Sequence, residues 1–301
     1  MKSNREISRR EMLERTFALG ALAPQLAMAA KKPARGWHIG CYTRPWGKHE
    51  YTVALDAIAE AGFKYAGLMT TKSPNNLVIS YKTTLEEAHK VGEECKKRKL
   101  KVPSLYGGDI PVRTSLEAGI QGLRQLIDNC EAAGIKNLMM GGVSDRKLND
   151  TYYKAIAECC PYAAQKKIGI SVKPHGGTNA TGAECRKLIE SVGSKNFKLW
   201  YDPGNIFYYS NGRLDPADDS ATVDGLVIGM SVKDFRMPKD VELTPGTGMV
   251  NFQKVMAHLK RGGFSKGPLI IECLAPGELP QLLAEAKKAR LFVENLLAEL
   301  N

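Results

Sequence analysis

The chain has 301 residues, of which 43% are apolar and 25% charged, and a formal net charge of +11 at pH 7. This mixture excludes a disordered or low-complexity chain and supplies enough apolar residues for a packed domain. Seven cysteines (Cys41, Cys95, Cys130, Cys159, Cys160, Cys185 and Cys273) show neither a Cys-x-x-Cys pair nor zinc-ribbon spacing, which excludes a disulfide framework.

Residues 1–29 read as an address. Ser8-Arg9-Arg10-Glu11-Met12-Leu13 places paired arginines ahead of a modest apolar run, Phe17 to Ala29, that ends in Ala27-Met28-Ala29. This is the layout of a signal peptide of the twin-arginine type, so the protein is expected to be exported, either periplasmic or secreted. Gly20 and Pro24 argue against a stable amphipathic helix there. No later apolar stretch approaches the ~20 residues of a membrane-spanning helix, so no membrane attachment is expected after cleavage. Residues 30–301 then form one domain, close to the roughly 250 residues typical of a (β/α)₈ barrel.

In chain order, short apolar runs alternate with longer amphipathic ones. Strands are expected at Trp37 to Tyr42, Tyr65 to Met69, Val102 to Tyr106, Asn137 to Gly141, Gly169 to Lys173, Phe197 to Tyr201, Ile228 to Val232 and Pro268 to Cys273. Between them lie helical patterns at Val53 to Ala59, Leu85 to Lys99, Leu116 to Ala133, Tyr153 to Lys167, Phe252 to Leu259 and Leu279 to Leu300. Ala61-Gly62, Ala133-Gly134 and Gly262-Gly263 supply left-handed helix ends before the next strand. The basic cluster Lys96-Lys97-Arg98-Lys99-Leu100-Lys101 has no interleaved aromatic residues, so it reads as a solvated helix end and not as a nucleic-acid surface. A βα repeat of eight units, with no Gly-x-Gly-x-x-Gly turn after the first strand, predicts an α/β fold, a single (β/α)₈ TIM barrel and not an open sheet. Function in such a barrel is read from the carboxyl ends of the strands.

At those ends stand Asp202-Pro203-Gly204-Asn205, Val232-Lys233-Asp234, Gly246-Thr247-Gly248-Met249-Val250-Asn251-Phe252 and Ile270-Ile271-Glu272. In order and spacing, these motifs resemble the xylose-isomerase-like TIM barrel superfamily of sugar phosphate isomerases and epimerases, over essentially the whole of residues 30–301. The resemblance implies proton abstraction next to the carbonyl of a keto sugar or related polyol, with a divalent metal held by carboxylates and a histidine from strands five to eight. Aligned residue by residue, Asp202 and Glu272 match two ligand positions, whereas Lys173 and Ser231 occupy the other two. Lysine is a ligand only when deprotonated, and serine is a poor neutral ligand.

Three readings of this altered site follow. In the first, the ammonium of Lys173 takes the place of the cation between Asp202 and Glu272, with Glu272 as the single base, which supports isomerisation or β-elimination and disfavours two-base epimerisation. In the second, His175 joins Asp202 and Glu272 in a rearranged metal site. In the third, Lys173 only neutralises two carboxylates in a non-catalytic sugar-binding barrel. Arg44, Trp46, His175, Asn205 and Lys233 are the expected substrate contacts, with Trp46 alternatively a core residue. The expected partner is a small carbohydrate, and a homo-oligomer is compatible with the sequence. The related apurinic endonucleases need a cluster of histidines and carboxylates for several metals; five histidines, mostly away from strand ends, do not supply one, so no nucleic-acid partner is expected.

Overall fold

The computed structural model describes residues 36–300; the signal segment expected at 1–29 lies outside them. Eight parallel strands close in sequential order: β1 (Trp37–Tyr42), β2 (Tyr65–Leu68), β3 (Lys101–Tyr106), β4 (Asn137–Met140), β5 (Gly169–Val172), β6 (Phe197–Tyr201), β7 (Val227–Val232) and β8 (Gly267–Ile271). Closure is made by β1 against β8, from Trp37 opposite Gly267 to Cys41 opposite Ile271. The expected α/β fold, a (β/α)₈ barrel, is therefore the observed one. The strands fall within a residue or two of their sequence positions, because each is bounded by turn or cap residues.

The outer ring consists of α1 (Tyr51–Glu60), α2 (Leu85–Lys97), α3 (Leu116–Ala133), α4 (Asn149–Gln165), α5 (Gly182–Val192), α6 (Pro203–Ser210), α7 (Pro216–Ser220), α8 (Phe252–Arg261) and α9 (Leu279–Glu299). Local signals start and stop these helices. Thr84 with Glu87 and Thr181 with Glu184 form capping boxes on α2 and α5, each satisfying backbone N–H groups that the helix cannot, and α3 ends on Gly134 at φ 71°. Helix α9 buries Leu282, Ala286, Ala289, Val293, Leu296 and Leu297, a stripe at helical spacing that closes the ring beside β1. Among the described residues no helix is long and apolar enough to cross a membrane.

Strand side chains alternate between the helix layer and the barrel interior. Ile170 and Val172, Leu199 and Tyr201, Met230 and Val232, and Leu269 and Ile271 face outward into the main core. Tyr42, Met69, Met139, Trp200 and Ile270 form a separate interior cluster. Two glycines make room for it. A Cβ on Gly67 would stand 2.2 Å from the Tyr42 ring, and one on Gly229 2.3 Å from the Trp200 ring. The aromatic rings thus fill the barrel where neighbouring strands carry no side chain.

Candidate functional site

The same alternation assembles the site. Continuing inward from Ser171, Trp200, Ser231 and Ile270, the next inward positions are Lys173, Asp202, Lys233 and Glu272, one from each of β5 to β8 at the carboxyl mouth. All four are buried: Lys173 is 1% exposed, Asp202 0%, Lys233 4% and Glu272 2%.

Lys173 Nζ stands 2.8 Å from Asp202 Oδ2 and 2.8 Å from Glu272 Oε2. Lys233 Nζ stands 2.5 Å from Glu272 Oε1 and 3.5 Å from Asp202 Oδ2. Ser231 donates to Glu272 Oε2 at 2.7 Å and accepts from Trp200 Nε1 at 3.2 Å. Asp202 Oδ1 caps α6 by accepting from the Asn205 backbone N–H at 3.0 Å. Its Oδ2 faces the lysines by charge alone, without an aligned hydrogen bond. Asn205 accepts from Lys233 at 3.0 Å and donates to the Pro174 carbonyl at 2.6 Å, which fixes the second ammonium from the far side.

Two ammoniums and two carboxylates make a neutral buried quartet, the form in which charges are tolerated away from water. Burial alone would raise the Glu272 carboxyl, but Lys173, Lys233 and Arg44 outweigh it and hold the group well below the usual carboxylate range. Burial would lower the Lys233 ammonium, yet Asp202 and Glu272 outweigh it and raise the group. Glu272 is anionic and Lys233 cationic across the physiological range.

A cavity of about 430 Å³ opens above the quartet, lined among others by Arg44, Tyr106, Lys173, His175, Asn205, Lys233 and Glu272. Asp202 does not line it and acts on its contents only through the lysines. The His175 ring is solvent-exposed at the mouth, with centroid distances of 6.1 Å to Tyr106 and 5.7 Å to Tyr209. Desolvation by the surrounding protein, then Lys173 and Lys233, push its imidazole down, so it is neutral at pH 7 and offers one donor and one acceptor. Arg44 makes a bidentate pair with Glu242 at 3.0 and 2.6 Å, which ties the end of β1 to the loop after β7.

That loop explains the Gly246 to Phe252 motif. Asp234, the last residue of the Val232-Lys233-Asp234 motif, is fully buried. It accepts from the backbone N–H groups of Phe235 at 2.9 Å, Gly246 at 2.9 Å, Gly248 at 2.8 Å and Val250 at 3.1 Å. One carboxylate folds back the segment that brings Lys239, Asp240, Val241 and Glu242 to the cavity wall.

The structure brings together Lys173, Asp202, Glu272, Lys233, Asn205, His175 and Arg44. Trp46 is corrected: it is 1% exposed, packs in the main core and is absent from the cavity lining, because the short 3₁₀ turn at Arg44–Trp46 turns the indole inward. A metal site of Asp202, Glu272 and His175 does not form. Among the described residues no three His, Cys, Asp or Glu side chains converge on one point, and both carboxylates are engaged by ammoniums. The residues present do not fit a divalent ion. Tyr106, Tyr208, Tyr209, Thr70 and Met69 complete the wall. Tyr106 ends β3 and Tyr208 and Tyr209 lie on α6, whereas Glu242 had no sequence signal because only the folded loop brings it to Arg44.

Comparison with known proteins agrees with this architecture. No protein of curated function matches the chain. Among solved structures, a xylose isomerase domain protein from Planctomyces limnophilus is 16% identical, with 88% of this chain and 99% of that one covered and a TM-score of 0.69. A D-psicose 3-epimerase in the presence of D-fructose is 14% identical, covering 86% of this chain and 99% of that one, at a TM-score of 0.68. A xylose isomerase-like TIM barrel protein from Mycobacterium smegmatis in complex with magnesium is 16% identical, covering 88% and 98%, at a TM-score of 0.68. At such identities the likeness establishes the fold alone. The family model described as "Xylose isomerase-like TIM barrel" matches residues 55–295, and the chain belongs to that family.

Proposed function

We propose that the chain is a sugar isomerase/epimerase-like enzyme that binds a keto sugar or related polyol at the carboxyl mouth and moves a proton next to its carbonyl, using paired ammoniums where relatives use a metal. The observation that carries this reading is Lys173 Nζ at 2.8 Å from both Asp202 and Glu272, with Lys233 closing the other side of Glu272. Removing a proton beside a carbonyl puts negative charge on the substrate oxygens. Two fixed ammoniums in a dry site stabilise that charge without reorganising at the moment of reaction.

Glu272 is the carboxylate that reaches the cavity and is the base in this reading. In the free protein both its oxygens are engaged. A substrate oxygen that takes up Lys233 releases Oε1 and restores basicity only when substrate is present. His175, Asn205 and Arg44 orient the hydroxyls, with Tyr106 and Tyr209 as apolar faces for sugar C–H groups. Structural neighbours that are a D-psicose 3-epimerase, a D-tagatose 3-epimerase-like protein and an L-ribulose 3-epimerase support ketoses as the first substrates to try.

A second reading, a sugar-binding barrel without turnover, is favoured by the same Glu272, held far below the range of an effective base. Incubating the protein with D-fructose, D-psicose and D-tagatose in deuterated water, with and without EDTA, separates the two. Deuterium at the carbon beside the carbonyl, retained in EDTA and lost in Glu272→Gln, supports the ammonium enzyme. Saturable binding with no exchange supports the binding protein and ends the catalytic proposal. The twin-arginine segment supports an exported location; fractionation of cells carrying Arg9→Lys with Arg10→Lys tests it, with cytoplasmic retention as the expected result.

A further inference from the structure

The opposite mouth of the barrel holds a second cavity, of about 530 Å³, where the strands begin. His38, Tyr65, Lys101, Asn137, Trp200 and Pro268 are among the residues that line it.

Its polar groups are few and specific. Asn137 is 5% exposed. Its Nδ2 donates to Ser171 Oγ at 2.8 Å, while Oδ1 has no partner. A buried amide oxygen left without a donor costs about 1–3 kcal/mol, and turning the amide over only exchanges which atom is left. The His38 and Tyr65 rings stack at 4.5 Å with 23° between their planes, which presents a flat apolar wall. Every charged residue of the lining is a lysine: Lys96, Lys101 and Lys136. Lys96 is tied to Glu93 at 2.7 Å, which leaves Lys101 and Lys136, both exposed, to meet an anion at the rim.

We propose that this amino-terminal mouth is a binding site for a small flat aromatic anion carrying a hydrogen-bond donor. The ring lies against the His38–Tyr65 stack, the Asn137 amide, whose Oδ1 is sealed and without a partner in the free protein, turns to meet the donor, and the carboxylate or sulfonate sits between Lys101 and Lys136. The site is separated from the sugar cavity by the interior cluster and does not depend on that site's chemistry.

The probe is 8-anilinonaphthalene-1-sulfonate, which combines a flat ring, an N–H and a sulfonate, titrated by fluorescence into the full folded chain. The expected result is saturable enhancement at one probe per chain, unaffected by D-psicose at saturating concentration. Lys101→Glu with Lys136→Glu should weaken it by about tenfold or more, because both positions are exposed and leave the fold intact. Asn137→Leu should abolish it, with thermal melting as the check that the barrel remains folded. If Asn137→Leu unfolds the protein, the lysine pair decides alone. Absence of saturable binding, displacement by D-psicose, or an affinity unchanged in the lysine variant would each overturn the proposal.

Discussion

Replacing Lys173 with methionine keeps an apolar stem of similar length and removes one ammonium from the quartet. Asp202 and Glu272 then share Lys233, which lies at 2.5 Å from Glu272 but only 3.5 Å from Asp202, so one buried negative charge is left uncompensated. Breaking a buried ion pair from one side costs about 3–5 kcal/mol. Contact with two carboxylates at 2.8 Å each puts this case toward the upper end. For a domain of this size about 1 kcal/mol moves the melting temperature by about 2–4 °C, so the expected fall at pH 8 is about 6–20 °C. The pH dependence gives the sharper test. In the wild type Glu272 is depressed below its unfolded value, so its contribution is present above the ordinary carboxylate range and lost as pH falls through the folded value. In the variant the same carboxylates are under-compensated and take up a proton more readily, so the gap to wild type should narrow between pH 8 and pH 5. Adding Asp202→Asn to Lys173→Met should recover part of the loss by restoring neutrality. Scanning calorimetry of the wild type and the two variants at both pH values reads all of this. A single variant that melts within about 2 °C of wild type at pH 8, with no pH dependence, would refute the view that the quartet is an electrostatic unit.

Three further outcomes are expected. Asp234→Ala removes the acceptor for four backbone N–H groups, so amide exchange across residues 235–250 should accelerate by about tenfold or more and sugar binding should weaken, with Asp234→Asn intermediate. Asp219, 2% exposed, accepts from Gly182 N–H and Tyr201 Oη, and burial pushes its carboxyl up to about 6. Because the folded value lies above the unfolded one, its contribution is full below pH ~4 and is lost as pH rises through 6. Asp219→Asn should therefore gain on wild type by as much as about 3 kcal/mol between pH 4 and pH 7 in urea unfolding, and a constant difference would contradict it. Gly229→Ala sets a methyl 2.3 Å from the Trp200 ring, an overpacking worth about 1–3 kcal/mol, and should also alter the near-ultraviolet circular dichroism of the indole.

The order of the elements and the closed barrel were legible from the sequence, because each depends on local periodicity and on turn residues read within about ten positions. The convergence of Lys173, Asp202 and Glu272 was legible through the family resemblance, which sets all three at ligand positions on strand ends. Lys233 was read as a substrate contact, and its place inside the quartet depends on a 2.5 Å approach between neighbouring strands that no linear pattern encodes. Helices α5, α6 and α7 were not assigned, the last two being only 8 and 5 residues long and too short for a periodic signal. Trp46 followed the rule that strand ends face the site, yet the turn that carries it rotates it into the core. By itself the sequence determined which residue types stand at each strand end. Only the tertiary structure decided that two ammoniums fill the space between the carboxylates, because the energy of a charge is set by its neighbours in three dimensions and by the water they exclude.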